Sequence, residues 1–209
     1  MKSWFKVWVN PREVTRTEIE KAREYEPVGK FLLIAYLSVA LTLFQQLELA
    51  EPTFSFVILI SLLGGVIGAP LSLYLMPLLL KWVGSWIGGT GSSLDLRVAV
   101  VNSSMRTGIL AGVISLPFIF MVGEYYFLNA EAINQVDIQL SQVQVWALSV
   151  LLIIALISNI WIIVLSLHAI GEAHGFSAWK ALLVEVILFA ITVLVILIIA
   201  FIVAFFLMM

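Results

Sequence analysis

The chain has 209 residues, of which 62% are hydrophobic and 11% are charged, and its mean hydropathy is +1.11. Soluble domains carry about 25% charged residues, so this composition excludes an ordinary soluble protein and predicts an all-α integral membrane protein. The absence of cysteine excludes disulfides, zinc thiolates and cysteine nucleophiles. A net charge of −2 gives no indication of a nucleic-acid partner.

Residues 1–30 form a charged N-terminal segment, which we call the head. Trp4, Phe5 and Trp8 stand at helical spacing with lysines between them. This pattern is typical of a short amphipathic helix that lies in the headgroup region of a membrane. We therefore expect these aromatic side chains at the membrane surface.

A polar helix is predicted to follow, from Pro11 to about Glu26. Asn10 is a suitable N-cap residue, and proline is favoured at the first helical position. Glu13 stands where a capping box requires an acidic residue. Together these residues predict the start of the second head helix.

Apolar runs near or above the roughly 20 residues that cross a bilayer predict a bundle of five transmembrane helices within residues 31–209. The predicted spans are 31–47, 54–83, a third that begins between 97 and 106 and ends near 122, 145–167, and 179–207. Pro70 and Pro77 interrupt the long second span, so we expect a kinked or tilted helix. Its stretch of small residues, which includes Gly64 and Gly68, should let another helix approach closely.

Orientation follows from the basic residues, which all fall in the head, in the second-to-third connector with its flanks, or near the fourth-to-fifth connector. They are Lys2, Lys6, Arg12, Arg16, Lys21, Arg23, Lys30, Lys81, Arg97, Arg106 and Lys180. The opposite side carries only acidic residues, namely Glu48, Glu51, Glu124, Glu131 and Asp137. The positive-inside rule therefore predicts a multi-pass protein of the cell membrane with a cytoplasmic N-terminus and an outside C-terminus.

Both histidines fall in the predicted fourth-to-fifth connector, 168–177, as His168 and His174, with Glu172 between them. Such residues can bind zinc or iron, but a fourth ligand is missing. We interpret them as interfacial histidines with roles at a helix end, and we expect no metal or other cofactor. Gly88 and Gly89 lack the lysine of a phosphate loop, which indicates an interfacial turn.

Three polar residues stand in apolar surroundings: Arg106, Asn159 and Glu185. One reading is a polar path for a substrate or protons. The other is contact between helices, with an ion pair between Arg106 and Glu185 and an interhelical hydrogen bond from Asn159. We favour helix contact. The spans contain no Ser-His-Asp set, carboxylate pair or HExxH motif, so an enzyme is not expected.

Three short motifs, in this order with five spans, resemble the bacterial branch of the Yip1 domain family. The residues that carry the resemblance are Trp8, Asn10, Pro11, Arg12, Gly88, Gly89, His174, Gly175 and Lys180. The chain departs from the family at the start of the third span, where Asn102, Ser103 and Ser104 stand in place of a frequent tyrosine and proline.

The resemblance implies a compact five-helix bundle with a cytoplasmic N-terminal segment. Eukaryotic members of that family act in Golgi and endoplasmic reticulum traffic with Rab-type GTPases. Their Asp-Leu-Tyr-Gly-Pro motif is absent here, so this role is not transferred. Some bacterial members are similar to accessory subunits of MacB-type ABC exporters.

The sequence thus predicts a non-enzymatic accessory or scaffolding subunit of a larger membrane complex, such as an ABC exporter. Its expected partners are membrane lipids and other membrane proteins or a second copy. The alternative is a small transporter or lipid-handling protein, which predicts a cavity in the bundle lined by Asn159 and the kink at Pro70. Accessory function predicts no such cavity, and a metal enzyme predicts that His168, Glu172 and His174 converge.

Overall fold

A computed structural model describes residues 2–135 and 139–208 of the chain. Two short helices form the head, α1 (Lys2–Val9) and α2 (Pro11–Glu24). Pro11 occupies the start of α2, as predicted, but Asn10 makes no capping hydrogen bond through its side chain. The predicted capping box is wrong because Glu13 instead forms an ion pair with Lys6, at 2.6 Å.

Five helical segments are long and apolar enough to cross a membrane, which confirms the predicted fold class. These are α3 (Val28–Gln46), α4 (Phe54–Trp86), a composite third span over Ser93–Phe127, α8 (Gln142–His174) and α9 (Ala178–Met208). The described residues contain no β-strand, only a single bridge between Leu49 and Leu128.

The helices alternate in direction, so the bundle has two ends. We call the end that carries the head, residues 87–92 and residues 175–177 the head end, and the opposite one the far end. At the far end, Leu49 donates its backbone N–H to Phe127 at 2.8 Å and accepts from Asn129 at 2.9 Å. Phe127 is fully buried beside Phe44 and Phe54, so the two far-end connectors pack against each other. The predicted outer residue Asp137 lies outside the described residues.

Helix α4 continues through both prolines for 33 residues. Its small residues form the contact with α3, because a Cβ added to Gly64 would meet Leu43 at 2.6 Å and one added to Gly68 would meet Val39 at 2.7 Å. The predicted close helix approach is therefore confirmed. A larger residue at either position would force the facing side chain of α3 to shift, so glycine favours this close packing.

The third span is built from three helical segments, α5 (Ser93–Val100), a π-helical turn (Val101–Met105) and α6 (Arg106–Val122). In the wide turn, the Arg106 backbone N–H donates to the Val101 carbonyl, five residues back. The span continues into a 3-10 turn (Gly123–Phe127), and a short helix α7 (Ala130–Gln135) follows at the far end. Such π-helical turns are rare and often occur at functional sites.

Helix α8 is longer than predicted at the head end. It includes His168 and Glu172 and ends at His174, and Gly175 then adopts a left-handed conformation with φ of 72°. The predicted connector over 168–177 is thus wrong, since only residues 175–177 connect α8 to α9. Gly175 is the helix stop, because glycine adopts this conformation without steric strain.

Candidate functional site

Helix α2 lies across the head end and is joined to the bundle by charged side chains. Three ion pairs connect α2 to the bundle: Arg16 with Glu172 at 2.6 Å, Arg23 with Asp95 at 2.8 Å, and Glu18 with Arg106 at 3.8 Å. A fourth, between Glu26 just after α2 and Arg97, measures 2.8 Å. The partners lie on α5, α6 and α8. The head is therefore a docked part of the bundle and not a free tail.

The contact between Arg23 and Asp95 is the most specific of the four. The guanidinium donates to both carboxylate oxygens, at 2.9 and 2.8 Å, a two-point geometry that adds specificity. These hydrogen bonds, together with the negative charge, raise the pKa of Arg23 above its ordinary value. Asp95 is 1% exposed and also forms a capping box with Ser92. One buried carboxylate thus starts α5 and holds α2.

His174 is buried at the junction of α4, α8 and the loop between α4 and α5. Its Nδ1 accepts from the Gly91 backbone N–H at 3.2 Å, and its Nε2 lies 3.2 Å from the Leu80 carbonyl. A backbone N–H can only donate, so Nδ1 is unprotonated and Nε2 carries the hydrogen that Leu80 accepts. The ring is therefore neutral and fixed by two backbone groups.

Glycines surround the His174 ring. A Cβ added to Gly84 would overlap the ring, and one added to Gly89 would lie 2.5 Å from Nδ1. At Gly88 there is space for a side chain, because nothing lies within 4 Å of an added Cβ. Glycine is favoured there by its backbone φ of 86°, which residues with a side chain rarely adopt. The glycine motif and the histidine motif, which are far apart in the sequence, therefore form one structural unit.

The remaining motif residues make separate contacts. Arg12 donates to His168 Nδ1 at 3.4 Å and to the Phe176 carbonyl at 3.3 Å. Trp8 packs against Trp161 with ring centroids 6.4 Å apart. Lys180 is exposed at the start of α9, where its backbone N–H donates to Ser177 at 3.1 Å.

The three candidate metal ligands do not converge. His168 is bonded to Arg12, Glu172 is paired with Arg16, and His174 is held by backbone groups. In the described part of the chain, no group of three or more histidine, aspartate or glutamate side chains could hold a metal ion.

The predicted ion pair between Arg106 and Glu185 is wrong. Arg106 lies under the head, with Glu18 at 3.8 Å and its Cζ 5.3 Å from the centre of the Trp4 ring. Glu185 Oε1 accepts from the Ser166 hydroxyl at 2.7 Å. The two side chains face different neighbours, and the sequence does not show which way each helix face is turned.

Arg106 is one of several buried polar side chains whose lack of hydrogen-bond partners the sequence did not indicate. The residue is 1% exposed, and its Nε and Nη1 have no hydrogen-bond partner within the described residues. The same holds for the buried Thr15 and Thr107 hydroxyls and for the Asn102 amide nitrogen. Trp4 packs over the Arg106 guanidinium and against the apolar core. Of the other aromatic residues of α1, the Phe5 side chain lies outside the described residues.

Asn159 also differs from its prediction. It is exposed on α8, and its amide nitrogen donates to the Ala155 carbonyl of the same helix at 2.8 Å. It therefore makes no interhelical hydrogen bond within the bundle and faces the region that lipid or another protein would fill.

A cavity of about 440 Å³ lies between α3, α4, the π-helical turn, α8 and α9. Six hydroxyl side chains and one carboxyl group line it, together with apolar residues. The polar residues are Ser38, Thr42, Ser72, Ser103, Ser104, Ser166 and Glu185. Neither Asn159 nor Pro70 lines it, so that part of the transport prediction is wrong. Only the run of Ser103 and Ser104 in an apolar span could have indicated the cavity from the sequence.

The helices and their connections define an all-α, multi-pass membrane protein of five spans. The family model of the Yip1 domain matches residues 5–207, so the chain belongs to the Yip1 domain family. Searches of curated proteins and of solved structures gave no match.

Proposed function

We propose that this protein is a non-enzymatic accessory subunit that binds a transmembrane helix of a larger membrane complex, with an ABC exporter of the MacB type as the first partner to test. We also propose that the head end faces the cytoplasm, because all eleven basic residues lie toward it. The observation that carries the proposal is Asn159, an amide on the lipid-facing surface of α8.

The surface around Asn159 is otherwise apolar. Leu152, Leu156 and Ile163 share this side of α8 and are 71%, 61% and 51% exposed. Asn159 lies near the middle of the 33 residues of α8, and therefore near the middle of a bilayer. A polar group at this depth is expensive to leave in hydrocarbon.

The Asn159 side chain can form further hydrogen bonds with a partner helix. Its bond to Ala155 remains within one turn of α8, and an amide side chain has a second N–H and an oxygen. Asparagine in membrane helices forms hydrogen bonds across helices worth about 1 kcal/mol. A partner helix with a polar residue at mid-membrane depth would satisfy this amide.

Helix α9 provides a second unpartnered surface. Every residue from Thr192 to Leu207 is exposed, and none of these side chains carries a charge. The outer half of α9 therefore lacks a neighbour on all sides in the described part of the chain. A helix seated beside α8 could also contact α9.

Comparative purification from native membrane tests this function. Asn159→Leu should reduce the yield of specific co-purified membrane proteins about fivefold, the equivalent of one interhelical hydrogen bond. The control is Ser149→Ala, since Ser149 is also exposed on α8 but its hydroxyl lies nearer the far end. Equal recovery from both variants, or no protein enriched over an unrelated multi-pass protein, would reject the proposal.

The cavity favours a second candidate function, lipid handling. Accessory function alone predicts no cavity inside the bundle, whereas a lipid-binding protein needs one. The cavity volume of about 440 Å³ lies within the usual range for small-molecule sites, about 300–1,000 Å³.

A further inference from the structure

We propose that the cavity between α3, α4, α8 and α9 binds the ammonium group of an amphiphile, with Glu185 as its counter-charge. The inference rests on the second proposed function, lipid handling, and gives the chemistry of the ligand. Three observations support it: the carboxyl group, the direction of the hydroxyl hydrogen bonds, and the apolar remainder of the wall.

Among the described residues that line the cavity, Glu185 is the one ionisable side chain, and none is basic. Its Oε1 accepts from Ser166 at 2.7 Å, which fixes the carboxyl group and leaves Oε2 available to a ligand. The Arg106 guanidinium, which could have neutralised it, is held at the head by Glu18. The site therefore favours a cationic ligand, which would neutralise the Glu185 carboxylate.

Two of the six hydroxyl groups of the wall can only accept a hydrogen bond from a ligand. Ser72 donates to the Ala69 carbonyl at 3.0 Å, and Ser103 donates to the Ala99 carbonyl at 2.7 Å. Each hydroxyl has a single hydrogen, so these two oxygens are acceptors toward the cavity. Together with the Glu185 carboxyl group they favour a ligand group rich in N–H donors, and a primary ammonium has three.

The size and lining of the cavity indicate an organic cation. A volume of about 440 Å³ far exceeds that of a bare metal ion, and apolar side chains such as Val39, Met76 and Ile162 complete the wall. Since the wall is formed by membrane-spanning helices, the apolar part of a ligand could remain in the surrounding lipid. The ligand class is thus an amphiphile with a primary ammonium head.

Two sources of this chemistry exist, the ethanolamine headgroup of a phospholipid and a free long-chain amine. The experiment is native mass spectrometry of the full chain in detergent. One arm compares phosphatidylethanolamine with phosphatidylcholine of the same acyl chains. The other compares dodecylammonium with dodecyltrimethylammonium, which has the same charge but no N–H donor.

Wild-type protein should bind the primary ammonium compound of at least one pair more tightly than its methylated counterpart. Glu185→Gln should weaken this binding about tenfold or more, as expected for the loss of a hydrogen bond to a charged group. The matched control is Glu131→Gln, which removes one exposed carboxylate at the far end. Ser72→Leu, which fills the cavity and retains the carboxyl group, should also weaken binding.

The two arms separate the inference from the function on which it rests. Binding of dodecylammonium alone, sensitive to Glu185→Gln, would support the site and reject lipid handling. Binding of phosphatidylethanolamine with the same sensitivity would support both. Equal binding of primary and methylated compounds, or equal affinity of wild-type protein and Glu185→Gln, would overturn the inference.

Discussion

His174→Ala should be among the most destabilising single substitutions in the head end. The change leaves the buried Gly91 N–H without its acceptor at 3.2 Å, which costs about 1–3 kcal/mol. It also empties the space between Gly84 and Gly89 that the ring fills, and large-to-small changes in a core cost about 2–5 kcal/mol. We therefore expect a loss of about 4 kcal/mol in the free energy of unfolding, given that an imidazole is smaller than a phenyl ring.

The assay is equilibrium unfolding in mixed detergent micelles, followed by tryptophan fluorescence. The matched control is His168→Ala, because His168 lies on the same helix but makes only a 3.4 Å bond from Arg12. Its loss should cost less than about 1 kcal/mol. Equal losses for the two histidines would refute the reasoning that the glycine-lined junction depends on the His174 ring.

A double-mutant cycle tests the same junction from the other side. Gly84→Ala should destabilise the protein because its new Cβ would overlap the His174 ring. Combined with His174→Ala, the alanine methyl group has space, so the double variant should lose less than the sum of the single losses. Additive losses would show that the glycine and the ring do not interact.

Three further predictions concern the head and the orientation. Arg23→Gln and Asp95→Asn should show a coupling of about 1 kcal/mol in an unfolding cycle, because Asp95 accepts both bonds and is 1% exposed whereas the Arg23 side chain is 62% exposed and screened by solvent; zero coupling would contradict a docked head. Trp4→Ala should increase protease cleavage within α2, because it uncovers the buried guanidinium beneath the head; unchanged cleavage would place Trp4 outside the docking contact. A cysteine at Asn134 should react with an impermeant reagent outside intact cells and one at Ser92 should not, and the reverse labelling would contradict the proposed orientation.

The number of spans, their order and their approximate bounds could be predicted from the sequence. A helix that crosses the bilayer needs an apolar run long enough to match the thickness of the hydrocarbon core, and such runs are visible in the sequence. The end of α8 could not. Its last two turns carry His168 and Glu172, whose polarity suggests a connector. Helices nevertheless extend beyond the apolar region when their ends pack against other elements. Gly175, with its positive φ, was the local signal for the true end.

The partners of the intramembrane polar residues could not be predicted from the sequence. Arg106 meets Glu18 of the head, whereas Glu185 meets Ser166. The rotation of each helix about its own axis decides which partners its side chains meet. A span that is apolar on nearly all sides has no polar stripe in its sequence, so this rotation cannot be predicted. The same reason explains why Asn159 was expected inside the bundle and lies on its surface.

Site-specific photo-crosslinking in native membranes shows whether the surface of α8 around Asn159 binds a partner helix. A photoreactive residue at Leu156, which is 61% exposed, is compared with one at Leu71 on α4, which is 58% exposed. We expect a cross-link from position 156 to a transmembrane segment of one other protein, lost with Asn159→Leu, and only lipid adducts from position 71. Lipid adducts alone at both positions would show that this surface binds no partner helix.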